Sequence, residues 1–469
     1  MGESRKLVTV GLALLAAMFL CGHAAASPVP VDNPWLNQRG ILNMAHQGGE
    51  FEAPSSTMYA FRTALESRGA DSLEFDVNAT SDNRLAVMHD YYTNKITPLD
   101  AQVRDVTLAE LQALDAAYWY RPGTGQFNHS RPANEYPFRG VRSGDIAPPQ
   151  GFTAEDFRVP AVEQVLSEFA DVPLNIENKT APGEPGESIR VATLLAEVLN
   201  RPEYRFRRII VASLDQNALV KFHELAPGVD VSASLGSMIA FMSGASIEPE
   251  PVALQVPMQI GTFEPPLVLK DMDVAGMGYA VHAWTDGAET ENDDSYAHLI
   301  GSGVQGIMTS SPAVLHDYLC RSGIRRPDGF PRCESQVMKF RLDYPSRSLR
   351  RYLTEGLPVR AHCDQACFVT MRVLIRVRTA RRLGIEVTRS ARAAGEVRIG
   401  NLMPVRGAPR VGLNVYRAGV LGKPLKRLAR VKRVRIRIAT RMFDGEGMPT
   451  SEESRWLTLT SKKPLRPRR

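Results

Sequence analysis

Short apolar runs alternate with helical hydrophobic patterns between residues 40 and 320. The runs that predict strands end at Ala45, Val77, Met88, Ile176, Ala212, Ala233, Val256, Ala283 and Met308. Strand–helix alternation over about 280 residues is typical of an α/β fold, the (β/α)8 TIM-type barrel. Because nine candidates compete for eight places, one of them is misassigned or lies outside the barrel. A doubly wound open sheet is the alternative, but no Gly-rich phosphate-binding sequence follows a strand to favour it.

The C-terminal region has a different pattern. Apolar residues occupy the odd positions of 371–377, with arginines between or after them at 372, 376 and 378, and the segment 433–438 alternates arginine with an apolar residue throughout. Further alternating or β-prone stretches lie at 411–415 and 456–460. Period two predicts strands with one buried face, so we expect a smaller antiparallel β-sandwich over residues 336–463. A linker at 321–335 would join it to the barrel at 40–320.

The two regions carry opposite charge. Residues 1–320 hold 21 Lys and Arg against 40 Asp and Glu, a net of −19, whereas residues 321–469 hold 36 against 11, a net of +25. So large a change supports a domain boundary at this point. The arginine rows could bind an anionic membrane or envelope surface, or they could form a solvated face. Nucleic acid is not expected as a partner, because few aromatics lie among the arginines.

The first 26 residues resemble an export signal. Arg5 and Lys6 precede an apolar run over 7–20, and three alanines at 24–26 come before Ser27. This layout predicts a cleaved secretory signal peptide and a secreted or cell-envelope protein. An uncleaved membrane anchor is the alternative, although the apolar run is short for a bilayer span.

Four cysteines remain after the predicted cleavage. An even number of cysteines in an exported chain predicts disulfides, and pairing of neighbours gives Cys320–Cys333 and Cys363–Cys367. Four cysteines allow three connectivities. A zinc site is the rival interpretation, but the chain has only one CxxxC spacing and no second pair.

A long segment within the barrel region, residues 117–160, lacks hydrophobic periodicity and is rich in Pro, Gly and Arg. Its aromatic residues are interspersed with arginines. Long irregular segments in compact domains are usually functional or disordered. We interpret this one as a lid or a substrate-selecting insertion, with a mobile surface insertion as the alternative.

The candidate chemistry begins in the stretch 43–90. Alternation over 72–77 places Glu74 and Asp76 on one strand face, and His46 and His89 each follow an apolar run. Two neighbouring carboxylates repel each other if buried, unless a cation lies between them, and oxygen ligands suit Ca2+ or Mg2+. The alternative is a pair of solvated acids on an edge strand with two hydrogen-bonded core histidines.

The same stretch resembles the glycerophosphodiester phosphodiesterase family, and the resemblance extends over residues 41–318. That family has a His-Arg-Gly turn, a Pro-Glu-Asn-Thr helix start, a Glu-x-Asp strand and a His-Asp strand end. The corresponding residues here are His46-Gln47-Gly48, Pro54-Ser55-Ser56-Thr57, Glu74-Phe75-Asp76 and His89-Asp90. Two departures stand out. Gln47 replaces an arginine that would contact phosphate, and Ser55-Ser56 replace Glu-Asn, which removes an acid near the metal.

The resemblance extends to two later segments. The strand at 174–179 is similar to the family's Glu-x-Lys strand, which implies Glu177 as a third metal ligand and Lys179 as a phosphate-binding cation. Trp284 would face the organic part of the substrate, and Gln47 would also contact substrate. An exposed Glu–Lys pair and a core-packing tryptophan are the alternatives.

The resemblance implies metal-dependent hydrolysis of glycerophosphodiesters to glycerol 3-phosphate and an alcohol. One divalent cation, Ca2+ or Mg2+, would be held by Glu74, Asp76 and Glu177. His46 and His89 would serve as general acid and base. Cleavage of phospholipid headgroups by a phospholipase-D-type reaction and non-catalytic binding of a phosphate ligand are the alternative functions.

Overall fold

The computed structural model describes residues 33–126, 128–179, 184–205, 207–285, 287–333, 339–402, 410–420, 422–444 and 448–462. The chain divides into two compact units after Pro327, within the segment expected to be a linker. The predicted signal peptide, residues 1–26, lies outside the described residues. Among the helices described, none combines the length and apolarity needed to cross a bilayer.

Eight parallel strands form the barrel of the first unit. They are β1 Leu42–Ala45, β2 Ser72–Ala79, β4 Leu174–Asn178, β5 Ile209–Ala212, β6 Asp230–Val231, β7 Ala253–Pro257, β8 Ala280–Trp284 and β9 Gly306–Thr309. Their order around the sheet is β6-β5-β4-β2-β1-β9-β8-β7. A parallel bridge between Ser232 and Ala253 joins β6 to β7 and closes the circle. The predicted TIM-type barrel is therefore confirmed.

The ninth strand candidate lies outside the barrel. Strand β3, Leu85–Val87, pairs antiparallel with the end of β2. The intervening turn at 80–84 is too short for the crossover that a parallel neighbour needs, so β3 returns along β2 as a hairpin. This hairpin carries His89 back to the end of β2 where the acids lie.

Helices surround the barrel. They are α1 Met58–Glu66, α2 Leu108–Ala113, α3 Val162–Glu168, α4 Pro185–Leu199, α5 Gln216–Leu225, α6 Leu235–Met242, α7 Pro265–Asp271, α8 Asp293–Gly301 and α9 Pro312–Arg321. Helix α1 begins after Thr57, whose hydroxyl accepts a hydrogen bond from the Ala60 backbone N–H.

The two faces of β2 have different surroundings. Leu73, Phe75 and Val77 lie in the apolar layer between the barrel and its helices. Glu74 and Asp76 therefore point to the barrel interior, as alternation requires. This distribution positions two buried acids at the C-terminal end of a barrel strand, which is where TIM-barrel active sites are built.

The segment 117–160 folds against the barrel rather than standing apart. Ala117, Val141 and Phe157 form a buried cluster to which Tyr59 of α1 contributes. The guanidinium of Arg139 lies 4.0–4.7 Å from the ring centroids of three aromatic residues, Tyr118, Trp119 and Tyr136. Arg139 therefore stabilises this segment through cation–π contacts.

The second unit is an antiparallel β domain. Its strands are β10 Phe340–Asp343, β11 Leu357–Arg376, β12 Glu396–Leu402, β13 Arg410–Val420, β14 Arg433–Asp444 and β15 Pro449–Thr460. Its helices are α10 Leu349–Glu355, α11 Val377–Arg382, α12 Arg389–Ala393 and α13 Gly422–Leu428. The predicted antiparallel β fold is confirmed, and the six strands are joined into one sheet through the long β11.

The four cysteines that the structure describes are oxidised. A disulfide links Cys363 to Cys367 within β11, with an S–S distance of 2.02 Å, and this predicted pair is confirmed. Cys320 and Cys333 are also disulfide-bonded. Zinc chelation by these four residues is therefore excluded, because a disulfide sulfur is not a thiolate ligand.

Candidate active site

Three carboxylates meet at the C-terminal ends of β2 and β4. The parallel register of the two strands aligns Asp76 with Glu177, while Glu74 lies one inward position earlier on β2. One carboxylate oxygen from each of the three residues lies within 4.8 Å of the other two. The residues expected to hold a metal are therefore brought together by strand register.

The donor set fits a hard divalent cation. Asp76 is fully buried, and its Oδ2 has no hydrogen-bond donor in the part of the chain that the structure describes. A buried carboxylate oxygen without a partner is costly unless a cation or donor reaches it. Three carboxylates at this spacing are ligands that Ca2+ or Mg2+ accepts.

Lys179 borders the acid cluster. Its Nζ lies 2.9 Å from Asp76 Oδ1 and 3.0 Å from Glu177 Oε1. Burial alone would lower the pKa of Lys179, but Asp76 and Glu177 outweigh it and raise this pKa. The ammonium therefore stays charged, and two of its three N–H donors suffice for these contacts.

The pKa values of Glu74 and Asp76 are shifted in opposite directions. Burial, reinforced by the charge of Asp76, raises the pKa of Glu74 to about 8. Burial acts in the same direction on Asp76, but Lys179 and the histidines outweigh it and hold the pKa of Asp76 below its usual value. Without a bound cation, simultaneous ionisation of all the carboxylates in the cluster is therefore unfavourable.

A tight turn after β1 carries His46. Gln47 adopts a left-handed conformation with φ of 50°, and Gly49 with φ of 87° ends the turn. The backbone N–H of Gln47 donates to Glu74 Oε2 at 3.0 Å. The turn is thereby attached directly to one of the candidate metal ligands.

The two nitrogens of His46 face different groups. Nδ1 lies 3.2 Å from Glu50 Oε1 and 3.3 Å from the Ser310 hydroxyl, whereas Nε2 lies 3.9 Å from Glu74 Oε2. Burial would lower the pKa of His46, but the charges of Glu74, Glu50 and Asp76 outweigh it and raise this pKa to about 9. Nδ1 is thus held by protein groups, and Nε2 faces the acid cluster.

His89 mirrors this arrangement from the β3 side. Its Nδ1 lies 2.6 Å from Asp90 Oδ1, and Asp90 Oδ2 in turn lies 3.5 Å from Lys95 Nζ. The ring centroids of His46 and His89 are 6.4 Å apart. Two imidazoles, each with Nδ1 held by a carboxylate, therefore lie beside the same acid cluster.

The remaining residues expected in the site are placed as follows. Gln47 is buried beside His46, with its Nε2 3.4 Å from His46 Nε2, and its Oε1 has no partner among the described residues. Trp284 is the last residue of β8 and packs partly on the apolar barrel interior around Met44 and Met308. Trp284 is partly exposed.

Two groups at this site were not anticipated from the sequence. They are Glu50 and Ser310, and the Ser310 hydroxyl donates to Glu50 Oε1 at 3.2 Å. Glu50 is 5% exposed, so its carboxylate is committed to this contact and to His46. A glutamate four residues after a candidate catalytic histidine was the available signal. Ser310, 264 residues away from His46, gave none.

A family model and several relatives match the barrel region of this chain. The Glycerophosphoryl diester phosphodiesterase family matches residues 46–314. A glycerophosphodiester phosphodiesterase of Bacillus subtilis is 28% identical over 288 residues, which cover 60% of this chain and 87% of the relative. One of Caldanaerobacter subterraneus is 25% identical over 295 residues, covering 60% and 99%.

A solved glycerophosphoryl diester phosphodiesterase from Parabacteroides distasonis superposes with a TM-score of 0.43 and 18% identity, covering 65% of this chain and 96% of the other. Enzymes of the matched family depend in general on a divalent metal ion, which the acidic cluster could hold. With more than half of the chain matched, the conclusion follows that this protein belongs to the glycerophosphoryl diester phosphodiesterase family and is a phosphoric diester hydrolase.

Proposed function

We propose that the protein hydrolyses glycerophosphodiesters to glycerol 3-phosphate and an alcohol, with one divalent cation, Ca2+ or Mg2+, held by Glu74, Asp76 and Glu177. The observation that carries the proposal is the convergence of these three carboxylates within 4.8 Å, beside two histidine rings. When bound, the cation supplies Lewis-acid neutralisation of the phosphate oxygens.

Three further residues orient the substrate in this proposal. The Lys179 ammonium, held by Asp76 and Glu177, directs its remaining N–H donor to a phosphate oxygen. Gln47 offers a neutral amide where the family has an arginine, so it contributes hydrogen bonding without charge. Trp284 provides an apolar surface for the alcohol portion.

The histidine pair moves the protons. In each ring a carboxylate holds Nδ1, Glu50 in His46 and Asp90 in His89, so that Nε2 is the nitrogen available for exchange with substrate. One Nε2 takes a proton from the nucleophile, which is either water or a neighbouring glycerol hydroxyl, and the other gives a proton to the leaving alcohol. Attack by water gives glycerol 3-phosphate directly, whereas attack by the glycerol hydroxyl gives a cyclic phosphate that a water molecule then opens. The new P–O bond therefore forms, and the old P–O bond breaks, without the release of a free hydroxide or alkoxide ion.

Single replacements of the histidines test this scheme. We expect His46→Ala and His89→Ala each to lower kcat for glycerophosphocholine by at least about 100-fold, the usual contribution of a general acid or base. His298→Ala, which removes a half-exposed histidine paired with Glu264, is the matched control and should keep full activity. Full turnover in either site variant would contradict the scheme. Preferential hydrolysis of intact phosphatidylcholine would favour the phospholipase-D-type reaction instead.

We also propose that the protein is exported to the cell envelope or beyond. Disulfide-bonded cysteines support this, because such bonds persist in oxidising compartments. Deletion of residues 1–26 should retain the product in the cytoplasmic fraction with its cysteines reduced. Equal recovery of the full and shortened chains in the envelope or medium would contradict export by this segment.

A further inference from the structure

One face of the C-terminal sheet concentrates arginine. On β14 the side chains of Arg433, Arg435 and Arg441 are exposed, whereas the intervening Val434 and Ile436 are buried. The neighbouring strands β12, β11 and β15 continue this outward face in register. We call it the arginine face. Its charged residues are Arg372, Arg376, Glu396, Arg398, Arg433, Arg435, Arg437, Arg441 and Glu452.

Most of these charges are not neutralised within the protein. Arg437 pairs with Glu396 and Arg441 pairs with Glu452. The other five arginines of the face make no ion pair with any described residue. Strand spacing and rise give this face dimensions of roughly 14 Å by 27 Å. An area of this size with five unpaired positive charges would attract an extended anionic surface rather than a single small anion.

Trp456 organises part of the face. It lies opposite Arg437 on β15, and the guanidinium carbons of Arg376 and Arg435 each lie 5.2 Å from its ring centroid. Cation–π contacts hold these two guanidinium groups in place, so less conformational entropy is lost when they bind an anion. A half-buried tryptophan among arginines is also the side-chain combination found at bilayer interfaces, where the indole lies at headgroup level.

We propose that the arginine face binds the surface of an anionic phospholipid bilayer. The two surfaces are complementary in charge, because several fixed guanidinium groups would face the headgroup phosphates. Trp456 would lie at the level of the headgroups. Single-stranded nucleic acid is disfavoured, because sequence-independent binding of that kind uses several exposed aromatic platforms. Besides Trp456, this face carries Phe368 and Phe443, but these two rings stack on each other with their centroids 4.9 Å apart. The proposal goes beyond hydrolysis and does not require the catalytic scheme.

Vesicle co-sedimentation of the full chain tests the proposal. We expect binding to equimolar phosphatidylglycerol and phosphatidylcholine, little binding to phosphatidylcholine alone, and weakening with added NaCl. The double substitution Arg376→Gln/Arg435→Gln should reduce the apparent affinity for anionic vesicles by at least about tenfold. Trp456→Ala keeps the net charge and should also weaken binding, because the two guanidinium groups lose their support.

The matched control is Arg350→Gln/Arg351→Gln. It removes two positive charges from α10, whose Leu349 and Tyr352 pack on the opposite, buried side of the sheet. This variant should bind anionic vesicles as the parent does. Equal loss in both double variants would overturn the proposal, as would equal binding to neutral vesicles. Displacement from vesicles by a single-stranded oligonucleotide at equal phosphate concentration would overturn the preference for lipid.

Circular dichroism and hydrolysis of soluble glycerophosphocholine monitor the integrity of each variant. Hydrolysis should be unchanged in all of them, because none of the substituted residues belongs to the candidate active site. An absence of vesicle binding with intact hydrolysis would therefore refute the membrane proposal and leave the proposed function standing. Vesicle binding without any hydrolysis by the parent protein would refute the proposed function and leave the membrane proposal standing.

Discussion

Glu50 shows how a single residue can complete the candidate site. It accepts a hydrogen bond from the Ser310 hydroxyl and faces His46 Nδ1. It therefore orients the imidazole with Nε2 toward the acid cluster, and it favours the tautomer that carries its proton on Nδ1. Burial would raise the pKa of Glu50, but His46 outweighs it and lowers this pKa. A charged acceptor at Nδ1 is the arrangement that supports proton exchange at Nε2.

Replacement of Glu50 should therefore impair turnover more than substrate binding. We expect Glu50→Ala to lower kcat by about 10- to 100-fold with a smaller change in KM, and Glu50→Gln, which keeps an oxygen acceptor, to recover part of the loss. Glu52→Gln is the control, because Glu52 accepts from the Ala313 backbone instead of the histidine. Steady-state kinetics on glycerophosphocholine measure the difference. A rise in KM alone would assign Glu50 to substrate binding.

His282 is a second informative residue, inside the barrel. It is fully buried, packs edge-on against Trp35, and neither ring nitrogen has a hydrogen-bond partner among the described residues. Burial, with a smaller contribution from Arg208, lowers the pKa of His282 to about 3. The folded protein thus keeps this imidazole neutral where the unfolded chain would protonate it.

The sign of the resulting pH dependence follows from linkage. Below about pH 6.5 the unfolded chain gains a proton at His282 and the folded protein does not, so stability falls as pH decreases toward about pH 3, by up to ~1.4 kcal/mol per pH unit. We expect His282→Leu to flatten the decline of Tm between about pH 7 and about pH 5. His298→Leu is the control, since that ring is half-exposed. If Tm falls with decreasing pH equally in the parent and in His282→Leu, His282 does not contribute to the pH dependence of stability.

At the scale of elements, one carboxylate joins three parts of the barrel. Glu291 accepts from Thr285 after β8, Tyr296 of α8, and Thr309 and the Ser310 backbone at the end of β9. Ser310 is the residue whose hydroxyl holds Glu50. The loop carrying Glu291 therefore fixes the strand end from which the candidate site receives Ser310.

Loss of this carboxylate should destabilise the whole barrel. Four donors lose a charged acceptor in Glu291→Ala, and we expect the free energy of unfolding to fall by about 3 kcal/mol or more. Glu289→Ala, two residues earlier and exposed, should change it by less than about 0.5 kcal/mol. Urea denaturation followed by circular dichroism provides the measurement. Similar midpoints for the two variants would mean that the hydrogen bonds of Glu291 contribute little net stability.

At the scale of the whole molecule, binding of the cation and stability are linked. Glu74, Asp76 and Glu177 come from two separate strands, so they form a site only in the folded chain. A ligand at one hundred times its Kd stabilises a protein by about 2.7 kcal/mol. We expect Ca2+ or Mg2+ to raise the Tm of the parent protein.

Asp76→Asn separates this effect from general salt effects. The substitution keeps the side-chain shape but removes the charge of the most buried ligand, so the Tm should no longer respond to the cation. NaCl at matched ionic strength is the second control. A cation-induced Tm shift that persists in Asp76→Asn would move the metal site away from these three carboxylates.

Alternation within single segments was enough to predict much of this protein. Short apolar runs marked nine strands of the first unit, while period-two alternation placed Glu74 and Asp76 on one face of β2 and indicated an antiparallel β domain at the C-terminus. These inferences succeed because period two is a local property of an extended backbone. The family resemblance added Glu177 and Lys179, which the register of β2 and β4 then brings beside Asp76.

Alternation alone did not predict which residues of the C-terminal sheet are buried. Leu413 and Val415 are exposed on β13, while Tyr416 and Ala418 are buried, although the apolar residues alone would have suggested the reverse. Which face of a strand is covered depends on the neighbouring elements, and one shift in register exchanges the two faces.

Local pattern therefore determined the strands, the fold class and the acids that one strand presents. Only the tertiary structure decided that β3 folds back outside the barrel, that Glu50 and Ser310 meet at His46, and that arginines of three strands form one face. The physical reason is distance along the chain. Contacts between residues tens or hundreds of positions apart depend on strand register and barrel closure, which no short segment encodes by itself.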